Sequence, residues 1–325
     1  MELTAQQQDR AFGVMLGLAS GDALGAGYEF QPPMKPTEPV GMIGGGLGNF
    51  APGEWTDDTS MAVVIAQALQ LSGGQLNDVA EQAMTQAWAD WVVDAPDAGI
   101  QTRAVFSDAQ KRARQAGRSI STADLLEATE EIHQRTGRSA GNGSLMRTAP
   151  VALCFLDSAE ATYQAAVRIS ALTHFDPVAG EASGLFSVAI RHAVLTGELD
   201  IRQGLGFLPL DSVAYWDEVI SEAENKEPQD FPKNGWVIQA FQGAWSAIVR
   251  NMGLSDKSEQ LVATLEAAVR GGVDTDTVAA IAGGLIGAAT GRSAFPEAWV
   301  NIVHGWPGLD TAGLDALSQS LVSAK

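Results

Sequence analysis

Two short acidic runs, far apart in the chain, share one pattern: Thr56-Asp57-Asp58-Thr59 and Asp274-Thr275-Asp276-Thr277. Each opens into small apolar residues, 61–66 in the first case and 278–282 in the second. Adjacent carboxylates repel unless solvent or a cation separates their charges. Asp274 and Asp276 would point to different sides of a regular helix, so both can reach one ion only where a helix is just beginning. Glu29 brings the set to five carboxylates, Glu29, Asp57, Asp58, Asp274 and Asp276. Every donor is an oxygen, which suits Mg²⁺, Mn²⁺ or Ca²⁺ and not Zn²⁺. Helix capping is the competing reading, because Thr and Asp also serve as N-caps. A cap needs one side chain, however, and each run offers two acids beside threonine.

Three further segments carry chemistry. Ser139-Ala140-Gly141-Asn142-Gly143 frees the backbone to approach a ligand, and its amides can form an anion-binding nest. No Gly-Lys-Ser/Thr follows and no strand precedes it, so it is neither a Walker loop nor a dinucleotide fingerprint. An ordinary loop before a helix fits the same residues. Arg147, just beyond, has a carboxylate as its simplest partner. Asp97 sits on a turn before a helical pattern, where capping is again the plain alternative. His174, in Thr173-His174-Phe175-Asp176-Pro177, falls at a helix junction, either as a structural histidine or as a donor to a phosphate.

The elements that must position these residues are helical. Apolar residues recur at helix spacing over 9–26, 59–71, 76–93, 102–115, 121–136, 158–172, 176–196, 211–224, 236–250, 255–271 and 275–290. Strand alternation of useful length is absent, so the expected fold is all-α, with many helices around one core and residues 1–325 forming a single domain. Gly13, Gly17, Gly21 and Gly25 repeat every four residues on one helix face. Such a row lets another helix or a ligand approach the backbone closely. The aperiodic stretch 31–53, rich in Pro and Gly, reads as a loop that covers the site, and 222–235 reads as a surface loop.

Composition excludes several classes. Thirty-nine acidic against 20 basic residues leave a net charge of −19, which repels nucleic-acid phosphates and anionic lipid. Cys154 is the lone cysteine, so no intrachain disulfide or cysteine metal cluster can form, as suits a cytoplasmic location. The first ten residues carry neither a basic nor an apolar signal region. The longest apolar run, 278–289, is too short and Gly-rich to span a membrane and reads as a buried helix.

In order, the segments resemble the ADP-ribosylglycohydrolase family, which includes dinitrogenase reductase-activating glycohydrolase and the ADP-ribosyl-acceptor hydrolases. The resemblance rests on Gly17-Leu18-Ala19-Ser20-Gly21-Asp22-Ala23-Leu24-Gly25 with Glu29, on Trp55-Thr56-Asp57-Asp58-Thr59, and on Asp97-x-Gly99-x-x-Thr102-Arg103. It continues through Ser139-x-Gly141-Asn142-Gly143-x-x-Met146-Arg147, Thr173-His174, and Gly271-Gly272-x-Asp274-Thr275-Asp276-Thr277, and covers about residues 9 to 292. It implies a compact orthogonal bundle of helices with a dinuclear Mg²⁺ or Mn²⁺ centre. Thr56, Asp57, Asp58, Asp274, Asp276 and Thr277 match the metal ligands. Glu29 matches the acidic residue close to the metals, and Asp97 matches a carboxylate at the reacting ribose. Ser139, Gly141, Asn142, Gly143, Met146 and His174 fall where the family holds the pyrophosphate and distal ribose. The implied activity is removal of ADP-ribose from an acceptor. Arginine linkage on protein is the first expectation, because the Asp97–Arg103 segment looks like that of arginine-specific members.

Two other readings compete. Prenyl-diphosphate enzymes are also all-α and Mg²⁺-dependent, but they want a third acid where this chain has Met61. A binding protein is the other: one that holds ADP-ribose, or neutralises a cognate ADP-ribosyltransferase by direct contact.

Overall fold

The computed structural model describes residues 2–323. It is helical almost throughout, as the periodicity predicts. The helices are α1 Ala5–Gly25, α2 Asp57–Leu71, α3 Asp78–Asp94, α4 Ile100–Gln115, α5 Thr122–Thr136, α6 Val151–Cys154 and α7 Ala159–Ala171. They continue with α8 Pro177–Thr196, α9 Val213–Asn225, α10 Val237–Asn251, α11 Lys257–Arg270, α12 Thr275–Thr290, α13 Glu297–Val300 and α14 Thr311–Ser323. The strand content among the described residues is one small antiparallel pair, His304–Gly305 with Leu309–Asp310.

Local chemistry sets many of the boundaries. Thr4 and Gln7 form a capping box on α1, and Ser121 and Asp124 form another on α5. Asn77, Ser158, Asp176 and Asp256 cap α3, α7, α8 and α11 with their side chains. Gly137 and Gly197 end α5 and α8 in the left-handed conformation, which costs glycine nothing sterically. The expected surface loop 222–235 is corrected in part: α9 runs through Asn225, a short 3-10 turn spans Pro228–Asp230, and Asn234 is buried. The C-terminal α14 escaped the sequence reading and packs on α1 and α2.

The centre of the fold is the pair α1 and α12. All of α12 is buried, as a helix apolar on every side must be. It lies directly on the glycine row of α1. A Cβ at Gly17 would stand 2.1 Å from the Gly283 carbonyl oxygen, and one at Gly21 would stand 2.0 Å from that of Ala279. At Gly25 the same atom would meet Asp276 Cα at 2.4 Å. The row therefore accommodates a helix backbone, and the contact ends at the acidic start of α12. No helix among the described residues is long and apolar enough to cross a membrane.

Substituting Gly21→Ala should therefore destabilise the fold. Overpacking costs about 1–3 kcal/mol, against roughly 1 kcal/mol that alanine gains in helix propensity. Urea unfolding would show a lowered midpoint, whereas Gly41→Ala, where an added Cβ meets nothing within 4 Å, should leave it unchanged. Equal midpoints for both variants would refute the tight helix contact.

Candidate active site

Helices α2 and α12 begin next to each other, and neither is capped by its own first side chain. Thr56 and Asp274 occupy the N-cap positions without a side-chain cap bond. The capping reading of the two acidic runs is thus overturned. Asp22 of α1 caps α2 from outside instead. Its buried carboxylate accepts from Thr56 N at 2.9 Å, Thr56 Oγ1 at 2.7 Å, Thr59 N at 2.9 Å and Thr59 Oγ1 at 2.6 Å. That arrangement leaves Asp57 and Asp58 for other work.

Asp58 joins the two runs. Its Oδ2 lies 3.3 Å from Thr56 Oγ1 and 3.4 Å from Thr277 Oγ1. Its Oδ1 is buried with no hydrogen-bond partner. Glu29, Asp274 and Asp276 each bring a carboxylate oxygen within 4.8 Å of the others. Asp274 is held from two sides: Asn142 Nδ2 donates to its Oδ2 at 2.8 Å, and its amide donates to Asn234 Oδ1 at 3.1 Å. Glu29 is tied in by backbone. The Phe30 amide donates to the Val273 carbonyl and the Val273 amide donates to that of Gln31. Phe30 and Val273 sit at φ 61° and 66°, a left-handed conformation that is costly for residues with a Cβ. Strain thus flanks the two acids it brings together.

These acids form the floor of a cleft of about 410 Å³. Glu29, Asp57, Asp97, Asp274, Asp276 and Thr277 line one side, and Gly141, Asn142, Gly143, Met146 and His174 the other. Leu47, from the long loop 31–53, lines it too, and its amide hydrogen-bonds Glu29. The loop does cover the site. Thr56 and Asp58 lie beneath the floor, and Ser139 is buried behind the wall with its Oγ 2.6 Å from His133 Nδ1. The His174 ring lies against both glycines: an added Cβ would stand 3.2 Å from it at Gly143, a tight contact, and 3.4 Å at Gly141, an ordinary one. Asp97 Oδ2 accepts the Asp57 amide at 2.8 Å. Arg103 clamps the turn that carries it, donating to the carbonyls of Val92, Ala95 and Ala98.

Arg147 departs from expectation. It pairs with no carboxylate within 4 Å among the described residues. Its guanidinium is fully buried, 4.3 Å from the Trp88 ring centroid, with Nη2 donating to Thr173 Oγ1 at 2.7 Å. Burial pushes it down to about 9, opposed by the charge of Asp57. Behind His174 lies a second, more apolar cavity of about 420 Å³. Of its two carboxylates, Glu181 accepts from Ser212 at 2.9 Å and Trp216 at 2.6 Å, and Asp176 caps α8. Sequence reasoning assigned no role to Asp22 or Asn234, although Asp22 lies inside a quoted motif.

Burial and mutual repulsion govern the charge of the floor. Burial, then neighbouring carboxylates, drives Asp57, Asp58 and Asp276 well above the ordinary range. Burial also raises Asp97 and Asp274. Asp22 is pushed up to about 6 and Glu29 to about 7. A buried set of like charges ionises only with a compensating cation. The unpartnered Asp58 oxygen and the all-oxygen donor set fit hard divalent ions.

An all-helical protein with a buried acidic centre under a glycine-walled cleft is a narrow class. The sequence model described as ADP-ribosylglycohydrolase matches residues 3–325, and the chain belongs to that family. It is 32% identical over 305 residues to the ADP-ribosylarginine hydrolase Tri1 of Pseudomonas putida, covering 93% of this chain and 76% of that protein. It is 27% identical to the ADP-ribosyl-[dinitrogen reductase] glycohydrolase of Rhodospirillum rubrum, over 90% of each chain. Among solved structures, an ADP-ribosylglycohydrolase-related protein complex superposes with a TM-score of 0.73 at 28% identity, covering 99% of both chains.

The raised acids define a pH dependence. Asp22 and Glu29 hold protons in the folded state that the unfolded chain has released, so stability without cations falls as pH rises from about 4 to about 7. In EDTA, the thermal midpoint at pH 7.5 should lie below that at pH 5, and Mg²⁺ or Mn²⁺ should restore it. A midpoint that climbs over this interval in EDTA would contradict the assignment.

Proposed function

We propose that this chain hydrolyses the bond between the anomeric carbon of ADP-ribose and an arginine side chain of a modified protein, with two divalent cations, Mg²⁺ or Mn²⁺, as cofactors. The observation that carries the reading is the convergence of both acidic runs and Glu29 on the floor of one cleft walled by Gly141–Gly143 and His174. Thr56, Asp57, Asp58, Asp274, Asp276 and Thr277 would hold the cations. When bound, the ions supply Lewis-acid charge and orient the ribose hydroxyls.

The rest is work for the chain itself. Hydrolysis adds a water oxygen to the anomeric carbon and breaks the bond from that carbon to the guanidine nitrogen. One proton leaves the water and one reaches the departing nitrogen. Glu29, at about 7, is able to accept or give a proton near neutral pH. Asp97 is the second candidate, fixed by the Asp57 amide. As the bond breaks, positive charge grows on the ribose ring, and the surrounding carboxylates stabilise it. Gly141, Gly143 and His174 line the cleft where an anionic diphosphate would lie, while the Asn142 amide is committed to the Gly235 carbonyl.

Arginine as acceptor draws support from the relative named ADP-ribosylarginine hydrolase. A single domain over residues 1–325 is supported by a family match that spans 3–325. The complete, convergent acid set favours turnover over ADP-ribose binding alone, or over neutralising a transferase by contact.

The test is release of free ADP-ribose from arginine-, serine- and aspartate-linked targets. Arginine-linked protein should be stripped, EDTA should stop the reaction, and Mg²⁺ or Mn²⁺ should restart it. Asp58→Ala and Asp276→Ala should each lower the rate by at least about a hundredfold, in line with loss of a metal ligand or its neighbour, while circular dichroism stays native. Full turnover in EDTA would remove the metal reading, and exclusive release from serine would remove the arginine assignment.

A further inference from the structure

His174 reaches the cleft through a chain of hydrogen bonds that has only one consistent direction. Arg147 Nη2 is 2.7 Å from Thr173 Oγ1, and Thr173 Oγ1 is 2.8 Å from His174 Nδ1. A guanidinium only donates, so Thr173 accepts from it. The Thr173 hydroxyl then has a hydrogen of its own to place, in a residue that is fully buried. His174 Nδ1 is the acceptor that the structure provides. Reversing the bond would have Thr173 accept twice and leave its hydrogen buried without a partner, a loss of about one hydrogen bond.

We propose that Arg147 and Thr173 are positioning residues that lock His174 as the neutral Nε2–H tautomer, so that its ring presents one fixed donor to a diphosphate oxygen in the cleft. The Nε2 edge faces Gly141 and Gly143, within 3.4 Å of where their Cβ atoms would be. Among the described residues nothing hydrogen-bonds Nε2, so the donor is free for a ligand. The ring stays neutral because burial, with the Arg147 charge second, pushes it down to about 3. A donor fixed in this way offers its hydrogen to an acceptor oxygen, which diphosphate supplies. It also explains why Arg147 is buried away from the acids: its hydrogen bonds serve the far wall of the cleft. The ligand half of this inference rests on the ADP-ribose reading above, whereas the tautomer half does not.

The experiment is a long-range ¹⁵N–¹H correlation spectrum of the full, ligand-free chain labelled at its four histidines, with His174→Gln to assign the signal. Wild type should show Nε2 protonated and Nδ1 bare between about pH 5 and 8. Thr173→Ser should keep that pattern. Thr173→Val should lose the single tautomer and weaken ADP-ribose binding, read by calorimetry, by at least about tenfold. In turnover its KM should rise more than its kcat falls, with Thr173→Ser near wild type. A protonated Nδ1 in wild type overturns the lock, and that spectrum decides even if Thr173→Val does not fold. Unchanged tautomer and affinity in a folded Thr173→Val also overturn it. The expected spectrum in a wild type that fails to bind ADP-ribose supports the lock and removes only the ADP-ribose reading.

Discussion

The whole site depends on how closely two helix backbones approach each other. Glycines on α1 put the carbonyls of α12 where side chains would otherwise be. Each interior glycine costs up to about 1 kcal/mol of helix stability relative to alanine, and the close contact of two buried helices offsets that loss. The benefit is positional. Where α1 ends it meets the first turn of α12, and Thr275 Oγ1 donates to the Gly25 carbonyl at 2.8 Å. Asp22 and Glu29, near the end of α1, are thereby brought beside Asp274 and Asp276.

Holding so many acids in one place requires a second layer that binds without neutralising. Asp22 supplies it to α2, Asn234 and Asn142 supply it to Asp274, and the Leu47 amide supplies it to Glu29. Asp22 and Asn234 accept from the first residues of α2 and α12, whereas Asn142 and the Leu47 amide are neutral donors to the carboxylates of Asp274 and Glu29. A lysine or arginine in their place would satisfy the carboxylates and remove the electrostatic demand for a cation. The buried cation nearby, Arg147, is turned instead onto Trp88 and Thr173. Site and stability therefore conflict, and the conflict persists in the left-handed backbone of Phe30 and Val273.

Much of this was legible in the amino-acid sequence, because periodicity and local pattern are one-dimensional. Helices announce themselves by apolar spacing, and paired acids at two helix starts announced one shared acidic centre, which Asp58 and Thr277 join. The glycine row disclosed a close approach, though only the structure shows that a helix makes it. What was not legible depends on partners remote in sequence. Whether Thr56 caps its own helix is decided by Asp22, which takes over that role. The charge of Arg147 suggested a carboxylate, but burial against an aromatic face won. Asn234 sits in a stretch without periodicity, so its bonds to the start of α12 left no pattern to read. The short helix α14 follows an irregular segment and was lost with it.

The two sides of the cleft meet their ligand in opposite ways. The floor concentrates carboxyls whose ionisation burial and mutual repulsion disfavour. The wall is built from the glycine-rich backbone of 141–143, neutral side chains and a ring whose Nδ1 is tied to Thr173 and through it to Arg147. Preorganised donors lose little on binding, and they suit a part of the ligand that does not react. A substrate that bridges the two sides would be anchored by its anionic end first. On the proposed function, the floor would then act on a group whose position the wall has already restricted.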